Sequence, residues 1–242
     1  MSYLGNFDEA EAILEKGLLN ATAMNDLRCL AFIELYYGHM FWARGIWESA
    51  KRHYEICIGK SEEMKMPVLL TIAWSGLGQA YSFLGDQVTA GKNIEKAIKI
   101  QMDAGIKWWL ALHYVFFSIF RFNSADLKEA QRLIEKGLQL SRSNHEKWTE
   151  GQSWIWMGRI VGKSGPSKKD KAEESILTGI NILEKLKSKP YSTLGRLFLG
   201  EFYLHTGEEE KAMENLKEAE ALFREMGMDY WLDRTHKTLA RA

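Results

Sequence analysis

One stretch of this sequence resembles a phosphate-binding loop, GRIVGKS at residues 158–164. A working loop of this kind has four residues between its glycines and joins a strand to a helix N-terminus, because backbone N–H groups must surround the phosphate. Here three residues separate Gly158 from Gly162, and no run in the sequence predicts a strand. We therefore predict no nucleotide cofactor at this position.

The histidines and cysteines do not follow the spacing of metal ligands. The six histidines are His39, His53, His113, His145, His205 and His236, and none forms HExxH or another pair one helical turn apart. Cys29 and Cys57 lack CxxC spacing, and a small buried thiol explains Cys57 better than a ligand or a disulfide does. No nucleophile elbow or Ser/His/Asp pattern can be singled out. We therefore predict no metal site, no cofactor, no catalytic residue and no enzymatic activity.

The charged residues predict a solvated surface rather than an ionic binding site. Lys+Arg and Asp+Glu both number 32, so the net charge is zero, which does not favour nucleic acid or an anionic membrane as a partner. Four lysines lie in residues 163–171, but an aspartate interrupts them and no aromatic lies alongside. The most apolar stretch, residues 108–120, is too short to span a membrane, and the N-terminus lacks the basic region of a signal peptide. We expect a cytoplasmic protein.

The elements that position all these residues are indicated by a regular repeat of small side chains. Alanine recurs at spacings of 40, 40, 40, 42 and 40 residues, at Ala10, Ala50, Ala90, Ala130, Ala172 and Ala212. Glycine or serine keeps the same period at Gly38, Gly78, Ser118, Gly158 and Gly200. A period in this range predicts stacked units, each of which buries its apolar face against its neighbours.

Each unit contains two helical patterns joined by a short turn. In the third unit both halves show apolar residues at helical spacing, and Gly85-Asp86 between them supplies a helix stop followed by an N-cap. Pro67 and Pro190 fit the first turn of a first helix, whereas Pro166 indicates an enlarged turn where the spacing lengthens to 42. The whole pattern predicts about twelve helices.

These small and large residues resemble the signature of the tetratricopeptide repeat. The third unit supplies Trp74, Leu77, Gly78, Tyr81, Ala90, Ile94 and Ala97, and the sixth supplies Leu199, Gly200, Tyr203, Ala212, Leu216 and Ala219. A period of 40 exceeds the common 34, so the helices would be longer than usual. HEAT and armadillo repeats have similar periods and form the alternative, but they do not carry this pattern. The resemblance implies an all-α superhelix of antiparallel helix pairs.

We expect one continuous solenoid over residues 1–242. Its predicted parts are a half repeat at 1–24, repeats at 25–64, 65–104, 105–144, 145–187 and 188–227, and a capping helix at 228–242. The half repeat lacks a first helix, which favours a chain that is part of a longer protein.

The resemblance further implies a concave face lined by one stripe of each first helix. Transferred by position in the repeat, the candidate binding residues are His39, Trp42, Gln79, Phe83, Leu112, Val115, Ile119, Phe122, Arg159, Glu201 and His205. The alternative is that the apolar members pack on neighbouring repeats. Trp108 and Trp148, spaced 40 apart at helix starts, are more typical of packing between repeats than of a binding site.

The function expected from this arrangement is a non-catalytic scaffold for a protein or peptide segment, within a larger signalling or regulatory protein. Val115, Ile119 and Phe122 would supply apolar anchors, and His39, Gln79, Arg159 and Glu201 would supply specificity. Long-unit repeats are similar to sensor regions, so a ligand-sensing module attached to an ATPase, cyclase or transcription-factor domain is the alternative. A homodimerisation surface is a further one.

Overall fold

The protein is all-α in the part of the chain that the structure describes, which is residues 4–241 apart from the side chain of Pro166. In this computed structural model the described residues form twelve α-helices and no strand, as the sequence predicts. The helices are α1 (Phe7–Ala23), α2 (Leu27–Arg44), α3 (Trp47–Glu63), α4 (Pro67–Leu84), α5 (Gln87–Asp103), α6 (Leu110–Asn123), α7 (Leu127–Ser143), α8 (Lys147–Lys163), α9 (Lys169–Lys185), α10 (Lys189–Thr206), α11 (Glu209–Met226) and α12 (Asp229–Leu239). Residues 1–3 and 242 of the predicted solenoid lie outside this description. None of the described helices is long and apolar enough to cross a membrane.

Caps that are readable in the sequence set many helix ends. The side chains of Asp26, Asp86 and Asp126 each accept a hydrogen bond from the backbone N–H three residues later, which satisfies a free donor of the first turn. At the other end, Gly45, Gly85 and Gly207 stop α2, α4 and α10 in the left-handed conformation, which glycine adopts without steric cost. The predicted glycine stop and aspartate cap at Gly85-Asp86 are confirmed.

Paired helices approach most closely at the small residues of the repeat. A Cβ atom added to Gly78 would lie 2.6 Å from Ile94 Cγ1 and 2.9 Å from the Ala90 carbonyl oxygen. At Gly158 the same atom would lie 2.5 Å from the Ala172 carbonyl oxygen. The period of small side chains therefore marks the contacts between the two helices of a pair.

The stretch that resembles a phosphate-binding loop is mostly helical. Residues 158–163 belong to α8, whose backbone N–H groups are engaged in the helix and do not converge on a phosphate. The turn that follows contains a short 3-10 helix, Pro166–Lys168, before α9 begins. Five residues separate α8 from α9, against two between α4 and α5, so this turn is enlarged as predicted.

The solenoid turns back far enough for its last helix to touch its first complete pair. Trp231 Nε1 on α12 donates a hydrogen bond to the Ala43 carbonyl oxygen on α2, at 3.0 Å and across 188 residues of sequence. The side chain of Tyr230 lies against Gly45, where an added Cβ would be 2.6 Å from the Tyr230 Cβ. The superhelix is thus closed by direct contact between distant repeats.

Aromatic side chains fill the inside of this closure. We call Trp42, Trp47, Phe83, Tyr191 and Trp231 the closing cluster. Trp47 stacks on Phe83 with ring centroids 4.1 Å apart, and both rings meet Trp231 edge-on at 5.9 and 6.1 Å. Trp42 stacks on Tyr191 at 6.1 Å. Helices α2, α3, α4, α10 and α12 therefore share one apolar interior.

Candidate functional site

The predicted concave-face residues divide into a buried group and an accessible group. The buried residues are Trp42, Gln79, Leu112, Val115 and Ile119, while His39, Phe83, Phe122, Arg159 and Glu201 are half-buried and His205 is exposed. The proposed anchors Val115 and Ile119 are 0% and 1% exposed, so in this structure they pack between repeats and do not face a partner. Of the three anchors, Phe122 alone keeps an accessible surface.

Gln79 and His39 were expected to supply specificity, but their side chains make contacts inside the helix stack. Gln79 Nε2 donates a hydrogen bond to the Phe116 carbonyl oxygen at 2.7 Å and so ties α4 to α6. The His39 ring packs edge-on against Tyr54 with centroids 5.7 Å apart, and burial lowers the pKa of His39 to about 4. A neutral, enclosed imidazole contributes packing rather than charge. Trp42 and Phe83 belong to the closing cluster and act in the same way.

The other four candidates lie together in the C-terminal half. Phe122, Arg159, Glu201 and His205 line one pocket of about 80 Å³, which we call the inner pocket. The remaining lining residues are Gly162, Lys163, Phe198 and Phe202. Helices α6, α8 and α10 supply all of these side chains, so three successive first helices converge here.

Arg159 is the central charged group of the inner pocket. Its guanidinium carbon lies 3.7 Å from the centroid of Phe198 and 4.5 Å from that of Trp156, and its Nη2 donates to Glu201 Oε2 at 3.3 Å. Burial lowers the pKa of Arg159 to about 9, and the nearby Glu201 opposes that effect. The side chain therefore stays positively charged at neutral pH, and the faces of the aromatic rings favour that charge.

Glu201 connects the pocket to the last helix. Arg234 on α12 forms a bidentate ion pair with Glu201. Its Nε donates to Oε1 at 2.8 Å, and its Nη2 donates to Oε2 at 2.9 Å. One carboxylate thus holds two arginines, and Lys163 adds a third cation at the pocket wall. The described groups around the pocket therefore carry more positive than negative charge.

Several residues of this site were not identified from the sequence. Phe198 and Phe202 line the pocket, Trp156 contacts Arg159, and Arg234 pairs with Glu201. Two of them could have been identified by their position in the repeat, because Trp156 and Phe198 each lie two residues before the small residue of their unit, Gly158 or Gly200. No local pattern points to Arg234, since its role depends on the return of α12 toward the inner face.

The two tryptophans at helix starts differ in their environments. Trp148 is half-buried, donates from Nε1 to Ser188 Oγ at 3.1 Å and meets Tyr191 edge-on at 4.9 Å, so it packs between repeats as expected. Trp108 is 75% exposed, and the expectation of packing is wrong for this residue. The reason is the connection between α5 and α6, which is six residues long and carries Trp108 away from the helix stack.

Comparison with known proteins identifies the repeat. Residues 72–102, which cover α4 from its second turn and nearly all of α5, match the family model of the tetratricopeptide repeat. These residues match a tetratricopeptide repeat, and the chain has the fold of a tetratricopeptide-repeat-like solenoid. The HEAT and armadillo alternative is thereby set aside, and the lengthened helices of 17 or 18 residues in α4 and α5 agree with the 40-residue period.

Solved structures share the fold of this solenoid at low sequence identity. BtubC from P. vanneervenii is 16% identical over 94% of this chain and 93% of that chain, with a TM-score of 0.59. A Rap protein complexed with competence and sporulation factor is 14% identical over 86% of this chain and 58% of that chain, with a TM-score of 0.72. A STAND signal transduction ATPase with a tetratricopeptide repeat sensor from Pyrococcus horikoshii is 16% identical over 95% of this chain and 38% of that chain, with a TM-score of 0.55.

The solenoid therefore spans little more than half of the Rap protein and less than half of the ATPase. A search of curated proteins gives no match. Within residues 4–241, no group of three histidine, cysteine or acidic side chains is placed to hold a metal ion.

Proposed function

We propose that this solenoid is a non-catalytic scaffold that binds a peptide segment of another protein at the inner pocket. Helical repeats of the tetratricopeptide type are typical of protein–protein interaction. The observation that carries the proposal is the enclosure of the charged Arg159 by aromatic rings at an accessible pocket. The Rap protein, which shares the fold, was solved with a bound factor, and this supports a ligand on the same architecture.

The composition of the inner pocket selects the chemistry of the partner. Arg159, Lys163 and Arg234 outnumber Glu201, so an acidic side chain or a terminal carboxylate completes the charge balance. Phe122, Phe198 and Phe202 add apolar surface beside the charges. The expected ligand is a short segment in which acidic residues alternate with apolar or aromatic ones.

A selection from random displayed peptides tests this proposal. We expect acidic, apolar-rich sequences to be enriched, and Lys163→Glu to weaken their binding by about 3- to 10-fold because it places a negative charge beside the acidic ligand. Lys171→Glu is the matched control, since Lys171 is exposed on α9 and does not line the pocket. Calorimetry gives the dissociation constants.

Two results would contradict the proposal. The first is a set of selected peptides without an excess of acidic residues. The second is equal binding of these peptides by the Lys163→Glu and Lys171→Glu proteins. Thermal unfolding of both variants verifies that they remain folded.

A second candidate function is a ligand sensor whose curvature changes on binding. The contacts of α12 favour it, because Arg234 on this helix pairs with Glu201 of the inner pocket and Trp231 on the same helix contacts α2. The ATPase from Pyrococcus horikoshii contains a tetratricopeptide repeat sensor, and attachment to such a domain belongs to this proposal. X-ray scattering with and without a selected peptide distinguishes the candidates, since an unchanged radius of gyration favours the rigid scaffold.

Self-association is a further proposal, and the structure gives it less support. Leu112, Val115 and Ile119, apolar members of the predicted concave stripe, are buried inside one chain. Light scattering at high protein concentration decides the matter. A strict monomer excludes the homodimer.

A further inference from the structure

A second pocket lies outside the inner face, at the edge of the solenoid where first helices begin. It has a volume of about 630 Å³ and is lined by three tryptophans, Trp108, Trp109 and Trp148, together with Asn144, Glu146 and Lys147. Three successive connections between repeats supply its walls. We call it the tryptophan pocket.

The first wall of this pocket is an irregular turn. Six residues separate α5 from α6, whereas three separate α3 from α4, α7 from α8 and α9 from α10. Trp109 adopts a φ of +68°, a left-handed conformation that is unfavourable for a bulky side chain. Strained backbone of this kind persists where the surrounding contacts hold it in place.

Buried polar contacts hold the irregular turn in place. Gln101 is fully buried, and its Nε2 donates a hydrogen bond to the Trp108 carbonyl oxygen. Its Oε1 lies 2.8 Å from Nε2 of the equally buried His113. The buried Gln101 thus fixes the backbone of the turn, while the side chain of Trp108 remains 75% exposed.

The second wall carries an unsatisfied negative group. Glu146 Oε1 accepts a hydrogen bond from Asn144 Nδ2 at 3.1 Å, but Glu146 Oε2 is buried and has no hydrogen-bond partner among the described residues. A buried carboxylate oxygen without a partner is costly, so it favours a cation beside it. Lys147 does not fill this role, because its Nζ lies 2.7 Å from Glu150 Oε2.

We propose that the tryptophan pocket binds an alkylated ammonium group. Tryptophan faces attract cations more strongly than other aromatic side chains do, and quaternary ammonium groups are recognised in this way because they cannot donate hydrogen bonds. Glu146 supplies the opposing charge at the wall of the same pocket. The proposal is independent of the peptide proposed for the inner pocket.

Choline and its neutral isostere 3,3-dimethylbutan-1-ol provide the direct test. Choline is expected to bind saturably and to shift the indole N–H signals of Trp108, Trp109 and Trp148 in NMR spectra, while the signal of the buried Trp231 stays in place. The neutral isostere is expected to bind at least tenfold more weakly, because it has the shape without the charge. Equal binding of the two compounds, or no binding of choline, overturns the proposal.

Two substitutions separate the aromatic and the carboxylate contributions. Trp108→Leu removes an exposed ring, and Glu146→Gln removes the charge while keeping the hydrogen-bonding shape. Each is expected to weaken choline binding by about 3- to 30-fold. The matched controls are Tyr36→Leu and Glu210→Gln, which alter an exposed aromatic and an exposed acid away from the pocket. Weakening by the controls of the same size as by the pocket variants overturns the proposal.

The source of the ammonium group is distinguished by one further comparison. Free trimethyllysine and a short peptide containing trimethyllysine present the same group in two forms. Equal affinity assigns the pocket to a soluble small molecule, and tighter binding of the peptide assigns it to a modified protein segment. Both outcomes retain the alkylated ammonium group as the ligand.

Discussion

Arg159 shows how much of one residue's role can be predicted from sequence. Its place on the inner stripe follows from its position in the repeat, and its pairing with Glu201 joins two predicted residues. Its enclosure by Phe122, Trp156 and Phe198 depends on the angles between α6, α8 and α10. The spacing of residues along the chain does not encode those angles. The sequence therefore identified the charge but not its surroundings.

Two enclosed histidines, the fully buried His113 and the half-buried His39, make stability depend on pH. In His113, Nε2 carries the proton, because the facing Gln101 Oε1 can only accept while the amide nitrogen donates to Trp108. Burial lowers the pKa of His113 to about 3 and that of His39 to about 4, from 6.5 in each case. As pH falls below 6.5, the unfolded chain takes up protons that the folded chain does not, so the free energy of unfolding decreases.

Urea unfolding between pH 7 and pH 5 measures this effect. Each of these two histidines is expected to contribute about 1.4 kcal/mol of lost stability per pH unit once the pH is well below 6.5. His113→Gln should remove one such contribution to the slope. His145→Asn, at an exposed turn position whose left-handed backbone asparagine tolerates, should keep the original slope. Identical slopes in all three proteins would show that His113 titrates normally.

At the scale of helices, the contact between paired helices is set by glycine positions. Gly158 faces the Ala172 carbonyl oxygen at a distance that admits no side chain, whereas Gly59 on α3 is exposed with nothing within 4 Å of an added Cβ. The same chemical change should therefore have opposite effects at the two positions.

Gly158→Ala is expected to destabilise the protein by about 1–3 kcal/mol, because α8 and α9 must separate to admit the methyl group. Gly59→Ala should stabilise it by about 0.5–1 kcal/mol, since alanine loses less backbone entropy in a helix. Chemical denaturation of the two variants and the parent protein gives both values. A neutral Gly158→Ala would mean that α8 and α9 do not approach closely at this residue.

Helix positions were predictable because the units share one period and several of them carry an aspartate N-cap or a glycine stop. The exception is the start of α6, where the helical pattern continues through Trp108 but the helix begins at Leu110. The decisive interaction there is the hydrogen bond from Gln101 to the Trp108 carbonyl, a contact between side chain and backbone that hydrophobic periodicity does not reveal. The tryptophan pocket was not predicted for the same reason, because its first wall is the turn that this hydrogen bond holds.

At the scale of the whole molecule, the contact between α12 and α2 joins residues that are far apart in the sequence and are not related by the repeat pattern. Ala43 lies in the last turn of α2, where carbonyl oxygens lack helical partners, and Trp231 satisfies one of them. The sequence predicted stacked units and a terminal helix, but the pitch that brings the two ends together is the sum of many small rotations between units. No single residue specifies that sum.

Trp231→Phe tests the contribution of closure to stability. The substitution retains an aromatic ring but removes the donor, so we expect a loss of about 1–2 kcal/mol from the unpaired Ala43 carbonyl oxygen. Trp108→Phe, at a position that is 75% exposed, should change stability by no more than about 0.5 kcal/mol. Calorimetric unfolding of both proteins provides the comparison, and equal melting temperatures would show that the Trp231 donor adds nothing.

The closing cluster also determines when the chain can finish folding during its synthesis. Phe83 and both early tryptophans leave the ribosome long before Trp231, which follows Phe83 by 148 residues. At typical elongation rates that interval lasts about 7 to 30 s. For this time the nascent solenoid presents Trp47 and Phe83 without the Trp231 ring that meets both of them edge-on. Translation speed, and access of chaperones to the nascent chain, should therefore govern how much of this protein is recovered in native form.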